Sequence, residues 1–214
     1  MKSVLGALIA LWAAGVQGAD SVWPAPQPVR GPSELVVSRS PISHRQWQHC
    51  VRSGGCNAYR PERQGWPRDS PVINVSLDDA SGYARWLSRQ QGRVWRLPFE
   101  DEWQRIVHVQ PARGQANCLD CGSAWDGRGT HRSGALPANA DGLFDTAGNV
   151  AQWLLPRPGR PSHCEASPYQ AAIGGASWAD PAKYLDPKVL SCLPRMLRDD
   201  TIGFRLVLEV TALR

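Results

Sequence analysis

Apolar and polar positions follow a helical period in only a few short stretches of this chain. The clearest is Leu77–Gln91, in which four apolar residues recur at intervals of three and four and would share one face: Ala80, Tyr83, Ala84 and Leu87. Ser76 and Asp79 have the spacing of a capping box, in which each side chain accepts a hydrogen bond from the other residue's backbone N–H. Gly92 follows and suits a helix C-terminus. The pattern predicts an amphipathic helix whose apolar face belongs to the core.

Two shorter helices are indicated by their start signals. Ser43 and Gln46 repeat the capping-box spacing and predict a helix through Val51 that ends at the glycine pair 54–55. Pro98 suits the first turn of a further helix. The acidic run after this proline favours the positive end of a helix dipole: Glu100, Asp101 and Glu102.

Most of the remaining chain lacks a sustained period. Glu34–Ser38 is a short strand candidate, residues 19–33 are rich in Pro and Gly, and residues 110–175 are mostly Gly, Pro, Asn, Asp and Ser. We therefore expect a proline-rich tail at 19–33 and one α+β domain at 34–214 with little regular secondary structure. A domain with so much irregular chain needs additional stabilising cross-links, such as disulfides or metal ions.

The first residues have the pattern of a cleavable signal peptide. Lys2 precedes an apolar run from Val4 to Ala14, and small residues stand before a cleavage point after Gly18. The run at 1–18 is too short for a stable membrane anchor, and the sequence has no second run that would be a membrane helix. We expect an exported, periplasmic protein without a membrane span.

Six cysteines follow the expected cleavage point. An even number in an exported chain indicates disulfides, with fifteen possible connectivities. Proximity in sequence favours two local pairs and leaves a third: Cys50–Cys56, Cys118–Cys121 and Cys164–Cys192. A redox role or a zinc site for the C-x-x-C pair is disfavoured, since the pair lies in a loop and no second ligand pair has zinc spacing.

The charge and the motif content exclude several classes of function. The net charge is +5, with 21 Arg and three Lys spread along the whole chain. Without clustering, and outside the cytoplasm, this charge does not predict a nucleic-acid partner. The sequence contains no G-x-S-x-G, H-E-x-x-H or G-x-x-x-x-G-K motif, so common hydrolase, zinc-protease and nucleotide sites are not indicated.

Six irregular segments, taken in order, resemble the formylglycine-generating-enzyme-like (sulfatase-modifying factor) domains. They are P-V-I-N-V-S-L-D-D-A-S-G-Y-A-R-W-L-S (71–88), W-R-L-P-F-E-D-E-W (95–103), N-C-L-D-C-G-S-A-W-D-G-R (117–128), D-G-L-F-D-T-A-G-N-V-A-Q-W (141–153), G-A-S-W (175–178) and T-I-G-F-R-L (201–206). The resemblance implies an α+β fold related to C-type lectins, with a small twisted antiparallel sheet, two or three helices and long loops.

The resemblance also implies that the catalytic position has been lost. Catalytic members have a copper-binding cysteine pair, five residues apart, whose positions fall on Asp180 and Leu185. Neither residue supplies the thiolate that Cu(I) requires. We therefore expect no copper and no formylglycine formation.

Two calcium sites of the family map onto oxygen donors of this chain. The first comprises the Asn117 side chain, the Cys118 carbonyl, Asp126 and the Arg128 carbonyl; the second comprises Asp145, the Gly148 and Val150 carbonyls, and Gln152. Calcium accepts carboxylate, amide and carbonyl oxygens from an irregular loop. The family usually has Glu where this chain has Gln152. The alternative interpretation is that Asp126 and Asp145 bind no calcium and only cap turns.

Some aromatic residues are candidates for a binding surface. Of the ten tryptophans, six lie in the motifs and helices and are expected in the core: Trp47, Trp86, Trp95, Trp103, Trp153 and Trp178. Trp66 and Trp125 lie in Gly-rich loops and suit an exposed surface. Asp180, with the groove around Trp178, is the second candidate.

These observations predict that the chain is a non-catalytic periplasmic binding or regulatory protein. Its size, signal peptide and cysteine loop are similar to those of a family member that promotes activation of a membrane Ser/Thr kinase controlling type VI secretion. That similarity implies a partner in the cell envelope, either the periplasmic domain of the kinase or an outer-membrane lipoprotein. The alternative is a periplasmic oxidase of altered chemistry acting on a peptide or siderophore precursor. A lectin-like variable module is disfavoured by the Arg-, Asp- and Leu-bearing segment 181–200.

Overall fold

The computed structural model describes residues 26–30, 35–57, 67–107, 109–164 and 167–210. The predicted signal peptide (1–18) and Trp66 lie outside these ranges. Within them, no helix is long and apolar enough to cross a membrane.

Three α-helices lie in the stretches whose start signals predict helices. They are α1 (His44–Arg52), α2 (Leu77–Gln91) and α3 (Glu100–Ile106). Both capping boxes are formed: the Ser43 hydroxyl accepts from the Gln46 N–H at 3.3 Å, and the Ser76 hydroxyl from the Asp79 N–H at 3.1 Å. Helix α2 ends at Gly92, whose φ of 61° is the left-handed conformation that favours glycine.

Helix α3 begins later than the proline signal suggests. Phe99 is the N-cap residue, so Pro98 lies outside the helix instead of in its first turn. Phe99 has no side-chain acceptor for the free N–H groups of the first turn. Instead, the Glu102 carboxylate accepts the Phe99 backbone N–H at 2.9 Å, which satisfies one donor at this helix start.

Eight short strands in the described ranges form two four-stranded sheets. The first sheet has the order β1-β2-β8-β3 and is antiparallel, with β1 Pro28–Arg30, β2 Val36–Ser38, β3 Trp95–Arg96 and β8 Val207–Leu208. The second has the order β6-β5-β4-β7, with β4 Ala151–Trp153, β5 Gln170–Gly174, β6 Leu190–Pro194 and β7 Ile202–Gly203. Strands β4 and β7 are parallel. The α+β class with low regular structure is confirmed, but the strands are divided between two sheets.

Part of the proline-rich segment pairs with the domain. Pro28–Arg30 forms an edge strand against β2, with Val29 opposite Val37. An edge position tolerates proline because an outward-facing position needs no ladder N–H.

Two apolar clusters fill the molecule, and the sheets lie between them. Leu206 and Leu208 belong to the cluster around Trp47 and Tyr83, whereas Val207 between them belongs to the cluster around Trp103. Successive residues of a strand point to opposite faces, so β8 buries both of its faces. Each large apolar side chain buried in this way contributes about 1.5–3 kcal/mol to stability.

The six cysteines form the three pairs that their spacing favours. These are Cys50–Cys56, Cys118–Cys121 and Cys164–Cys192, and no cysteine is free. The second pair closes a tight loop, and the third ties the segment before β5 to strand β6. The second and third disulfides thus constrain the irregular region, which has little regular secondary structure to stabilise it.

Candidate functional site

A buried arginine lies at the centre of the irregular region. Arg205 follows β7 and is fully buried. Its Nε donates to Gln152 Oε1 at 2.7 Å, and its Nη2 donates to the carbonyl oxygens of Phe144 and Asp145 at 2.7 Å each. Burial lowers the pKa of Arg205 to about 10, and the charge of Asp145 opposes this effect. The guanidinium is therefore an internal cation at neutral pH.

The second predicted calcium set surrounds this arginine. Gln152 accepts from Arg205 and donates from Nε2 to the Asp145 carbonyl at 2.9 Å. The Asp145 Oδ2 atom is buried, and no described residue hydrogen-bonds to it. Burial raises the pKa of the Asp145 carboxyl, while the charges of His131 and Arg205 oppose the rise. An unpartnered buried carboxylate oxygen fits a cation ligand, although the charge of Arg205 nearby acts against a second cation.

The first predicted calcium set also contains an unpartnered oxygen. Asn117 is buried, and its Nδ2 donates to the Gly129 carbonyl at 2.9 Å and to Asn149 Oδ1 at 3.3 Å. Its Oδ1 has no hydrogen-bond partner among the described residues. This atom is the kind of donor that a calcium ion completes.

Asp126 of the first set caps a turn. Its Oδ1 accepts the Ser123 backbone N–H at 2.9 Å and the Ser123 hydroxyl at 2.6 Å, and its Oδ2 accepts the Gly122 N–H at 2.5 Å. Desolvation acts to raise the pKa of this carboxyl, but the hydrogen bonds from Ser123 and Gly122 lower it. The carboxylate is thus ionised, and its remaining lone pairs leave room for a cation. The first set fits calcium better than the second.

Neither set is a cluster of conventional metal ligands. In the described part of the chain, no group of three His, Cys, Asp or Glu side chains is arranged to hold a metal ion. Both sets depend instead on amide and carbonyl oxygens, which suit calcium and not copper or zinc.

The two positions that align with the family's cysteine pair have structural roles. Asp180 Oδ2 accepts the Ser177 backbone N–H at 2.7 Å and the Ser177 hydroxyl at 2.6 Å. Leu185 is 2% exposed and packs in the cluster around Trp103. Asp180 therefore caps a turn and Leu185 fills the core.

A cavity of about 260 Å³ lies beside these positions. Its wall combines apolar and polar side chains, including Ile173, Ala176, Asp180, Tyr184, Val189 and Ser191. Trp178, which the sequence grouped with Asp180, is half-buried and donates from Nε1 to the Asp200 carbonyl at 3.2 Å.

Three exposed apolar side chains lie on two neighbouring segments, 118–129 and 180–185. The Leu119 N–H donates to the Asp180 carbonyl at 2.9 Å, and Asp120 Oδ1 accepts the Ala182 N–H at 2.6 Å, so the two segments are joined. We call the exposed residues of these segments the loop face: Leu119 (52% exposed), Trp125 (42%) and Tyr184 (38%). Trp125 was predicted, whereas Leu119 and Tyr184 carried no sequence signal because single apolar residues in loops are common.

Two curated relatives match the chain over part of their length. The formylglycine-generating enzyme of Mycobacterium tuberculosis is 31% identical over 153 residues, which cover 59% of this chain and 45% of that protein. The inactive C-alpha-formylglycine-generating enzyme 2 of Bos taurus is 32% identical over 136 residues, or 52% of this chain and 40% of that protein. The chain thus spans less than half the length of these relatives.

The fold has a close match among solved structures. PvdO from Pseudomonas aeruginosa superposes with a TM-score of 0.68 at 19% sequence identity, over 87% of this chain and 92% of that one. This likeness shows the fold. The family model of the sulfatase-modifying factor enzyme 1-like domain matches residues 15–210, and the chain therefore belongs to that family.

Proposed function

We propose that this protein is a non-catalytic periplasmic regulator that binds a protein partner in the cell envelope. It promotes activation of a membrane Ser/Thr kinase pathway that controls type VI secretion. The observation that carries the proposal is a retained family scaffold with Asp180 and Leu185 where a thiol pair would be required.

The chemistry of the site supports a non-catalytic role. All six cysteines are in disulfides, so no thiolate is free to bind copper. Asp180 is occupied by hydrogen bonds from Ser177, and Leu185 is buried. The relative in Bos taurus, named as inactive, supports the same reading, since members without activity exist in this family.

The expected location agrees with these features. Three disulfides suit an oxidising compartment, and the signal-like segment at 1–18 would direct export to the periplasm. The partner would then be the kinase's periplasmic domain or an outer-membrane lipoprotein.

The loop face is the proposed partner-binding surface. It exposes a tryptophan, a tyrosine and a leucine on segments that a disulfide and two hydrogen bonds hold in place. Aromatic side chains on a fixed backbone provide contact area with little loss of conformational entropy on binding.

A crosslinked pull-down of the tagged mature protein from its native cell envelope tests the proposal. We expect recovery of a kinase ectodomain or an envelope lipoprotein, and loss of that partner in the double variant Trp125→Ala/Tyr184→Ala. Tyr169→Ala is the matched control, because Tyr169 is 77% exposed outside the loop face. Equal recovery by both variants would contradict the loop face, and absence of any envelope partner would contradict the function.

Calcium is proposed as a structural ion in the same protein. The buried Asn117 and Asp145 oxygens to which no described residue hydrogen-bonds support it, and the Asp126 carboxylate, fixed by the Gly122 and Ser123 N–H groups, supports the first site in particular. An ion there would hold the irregular loops that carry Trp125. No copper is proposed.

An oxidase of altered chemistry, acting on a peptide or siderophore precursor, is the second candidate. The cavity of about 260 Å³ beside Asp180 favours it, because that volume admits a small ligand. Oxygen consumption that depends on an added peptide thiol or hydroxylated amine would establish this candidate over the regulator.

A further inference from the structure

Asn149 links two loops that are distant in sequence. It is fully buried, and its backbone N–H donates to the Asn117 carbonyl at 2.8 Å. Its Oδ1 accepts the His131 N–H at 3.0 Å and the Asn117 Nδ2 at 3.3 Å, while its Nδ2 donates to the His131 carbonyl at 3.2 Å. One amide side chain therefore holds both the 117 loop and the 131 loop against the 145–150 turn.

The two calcium sets meet at this residue. Asn117 belongs to the first set, and Gly148 and Val150 of the second set flank Asn149 in sequence. A Cβ atom at Gly148 would lie 2.7 Å from the Asn117 carbonyl oxygen, so the backbones of the two sets are in contact. This close contact gives a direct path between the two sets.

Asn149 also sets the direction of the Asn117 amide. Asn117 Nδ2 is held by Asn149 Oδ1 and the Gly129 carbonyl, and no residue in the described ranges hydrogen-bonds to Asn117 Oδ1. Amide hydrogen bonds of this kind fix which atom of the amide is presented to an ion. In the second set, Asp145 Oδ2 is likewise buried, and no hydrogen bond reaches it from the part of the chain that the structure describes.

We propose that Asn149 is a positioning residue that couples the two calcium sites, so that an ion in one set raises the calcium affinity of the other. An ion on Asn117 Oδ1 fixes the Asn117 amide and, through Asn149, the carbonyls of Gly148 and Val150. The inference rests on the calcium sites proposed above.

Calorimetric titration of the mature, disulfide-bonded protein with calcium chloride tests the coupling. The wild type should bind two ions. Asp126→Asn, a change near the surface, should abolish the first site and reduce the affinity of the remaining site about tenfold, within the usual range of coupling between sites. Binding of fewer than two ions by the wild type would overturn the inference, as would an unchanged affinity at the remaining site.

A second variant addresses Asn149 itself. Asn149 has a φ of 68°, which glycine adopts without strain, so Asn149→Gly removes the side chain and keeps the backbone. We expect both affinities to fall about tenfold, as for other residues that orient metal ligands. Adding Asp126→Asn to this variant should leave the remaining affinity unchanged.

Asn139→Ala is the matched control for a general loss of stability. Asn139 Oδ1 accepts the N–H groups of Asp141 and Leu143 at 3.1 and 2.9 Å, so it organises a neighbouring turn outside both sets. This variant should lower the melting temperature and keep both calcium affinities. Equal loss of affinity in the Asn139 and Asn149 variants would contradict a specific positioning role. The pull-down tests the regulator proposal, and the calcium titration tests the coupling. Failure of one proposal can therefore be distinguished from failure of the other.

Discussion

At the scale of single residues, Arg205 is a charged side chain whose hydrogen bonds fix the position of an otherwise apolar segment. It lies in the run I-G-F-R-L-V-L, where its neighbours are all buried. A charge without partners there would be costly, but the guanidinium donates to Gln152 and to the carbonyls of Phe144 and Asp145. The residue ties β7–β8 to the turn before β4.

Replacing Arg205 by methionine should destabilise the protein by about 3–5 kcal/mol, because Gln152 Oε1 and the Phe144 carbonyl would lose their buried donor. Urea denaturation of the two proteins measures the difference. Arg39→Met is the matched control: Arg39 is exposed, stacks on Phe144 at 5.0 Å and donates to one carbonyl at 3.4 Å, so about 0.5 kcal/mol is expected. An equal loss of unfolding free energy in Arg205→Met and Arg39→Met would contradict a specific contribution of the buried hydrogen bonds to stability.

The sequence placed Arg205 and Asn149 within matched motifs but gave neither a role. A lone arginine among apolar residues signals a buried partner, yet its acceptors lie more than 50 residues away along the chain. Most of those acceptors are backbone carbonyls, which carry no residue-specific pattern. Contacts of this kind become visible only in three dimensions.

At the scale of elements, helix α3 is anchored by a charged cluster. The Glu102 carboxylate accepts two bonds from Arg96, at 2.7 and 2.8 Å, and one from Arg157 at 3.1 Å. Both guanidiniums also lie over the Phe99 ring, with Arg96 Cζ 4.0 Å and Arg157 Cζ 4.4 Å from the ring centroid. The acidic run that the sequence attributed to the helix dipole therefore also holds the loop that carries Arg157.

This cluster predicts an acid-sensitive contribution to stability. Burial would raise the pKa of Glu102, but hydrogen bonds from Arg96 and Phe99 outweigh burial and lower it. A lowered folded-state pKa means that the contribution is present above the ordinary glutamate value of about 4.3 and is lost as pH falls below it.

Urea midpoints at pH 7 and pH 3 measure this contribution. The wild type should lose more stability on acidification than Glu102→Gln, in which the titrating group is absent. Glu209→Gln is the control, since Glu209 also binds Arg96 but its side chain is 47% exposed. An equal acid effect in wild type and Glu102→Gln would contradict the cluster's role.

Local sequence signals predicted the helices well but predicted few of the strands. Serine at an N-cap acts over three residues, so Ser43 and Ser76 can be read directly from the sequence. Strands of two to five residues with both faces buried, such as Val207–Leu208, have no alternation to detect. The division into two sheets was therefore not predictable from periodicity.

At the scale of the whole molecule, long loops stapled by three disulfides surround two small sheets. The order of irregular motifs, and not hydrophobic periodicity, predicted this fold, because residues 110–150 lack regular elements in the structure too. The same motifs located the positions of Asp180 and Leu185. They did not reveal the loop face, since its residues come from two loops that meet only after folding.

The central proposal is that this protein regulates an envelope kinase and is not itself an enzyme. Its most direct test is the phosphorylation level of the envelope Ser/Thr kinase in native cells that lack the protein. We expect low phosphorylation in those cells, restoration by the exported wild-type protein, and no restoration by Trp125→Ala/Tyr184→Ala. Kinase phosphorylation that is the same with and without the protein would contradict the account.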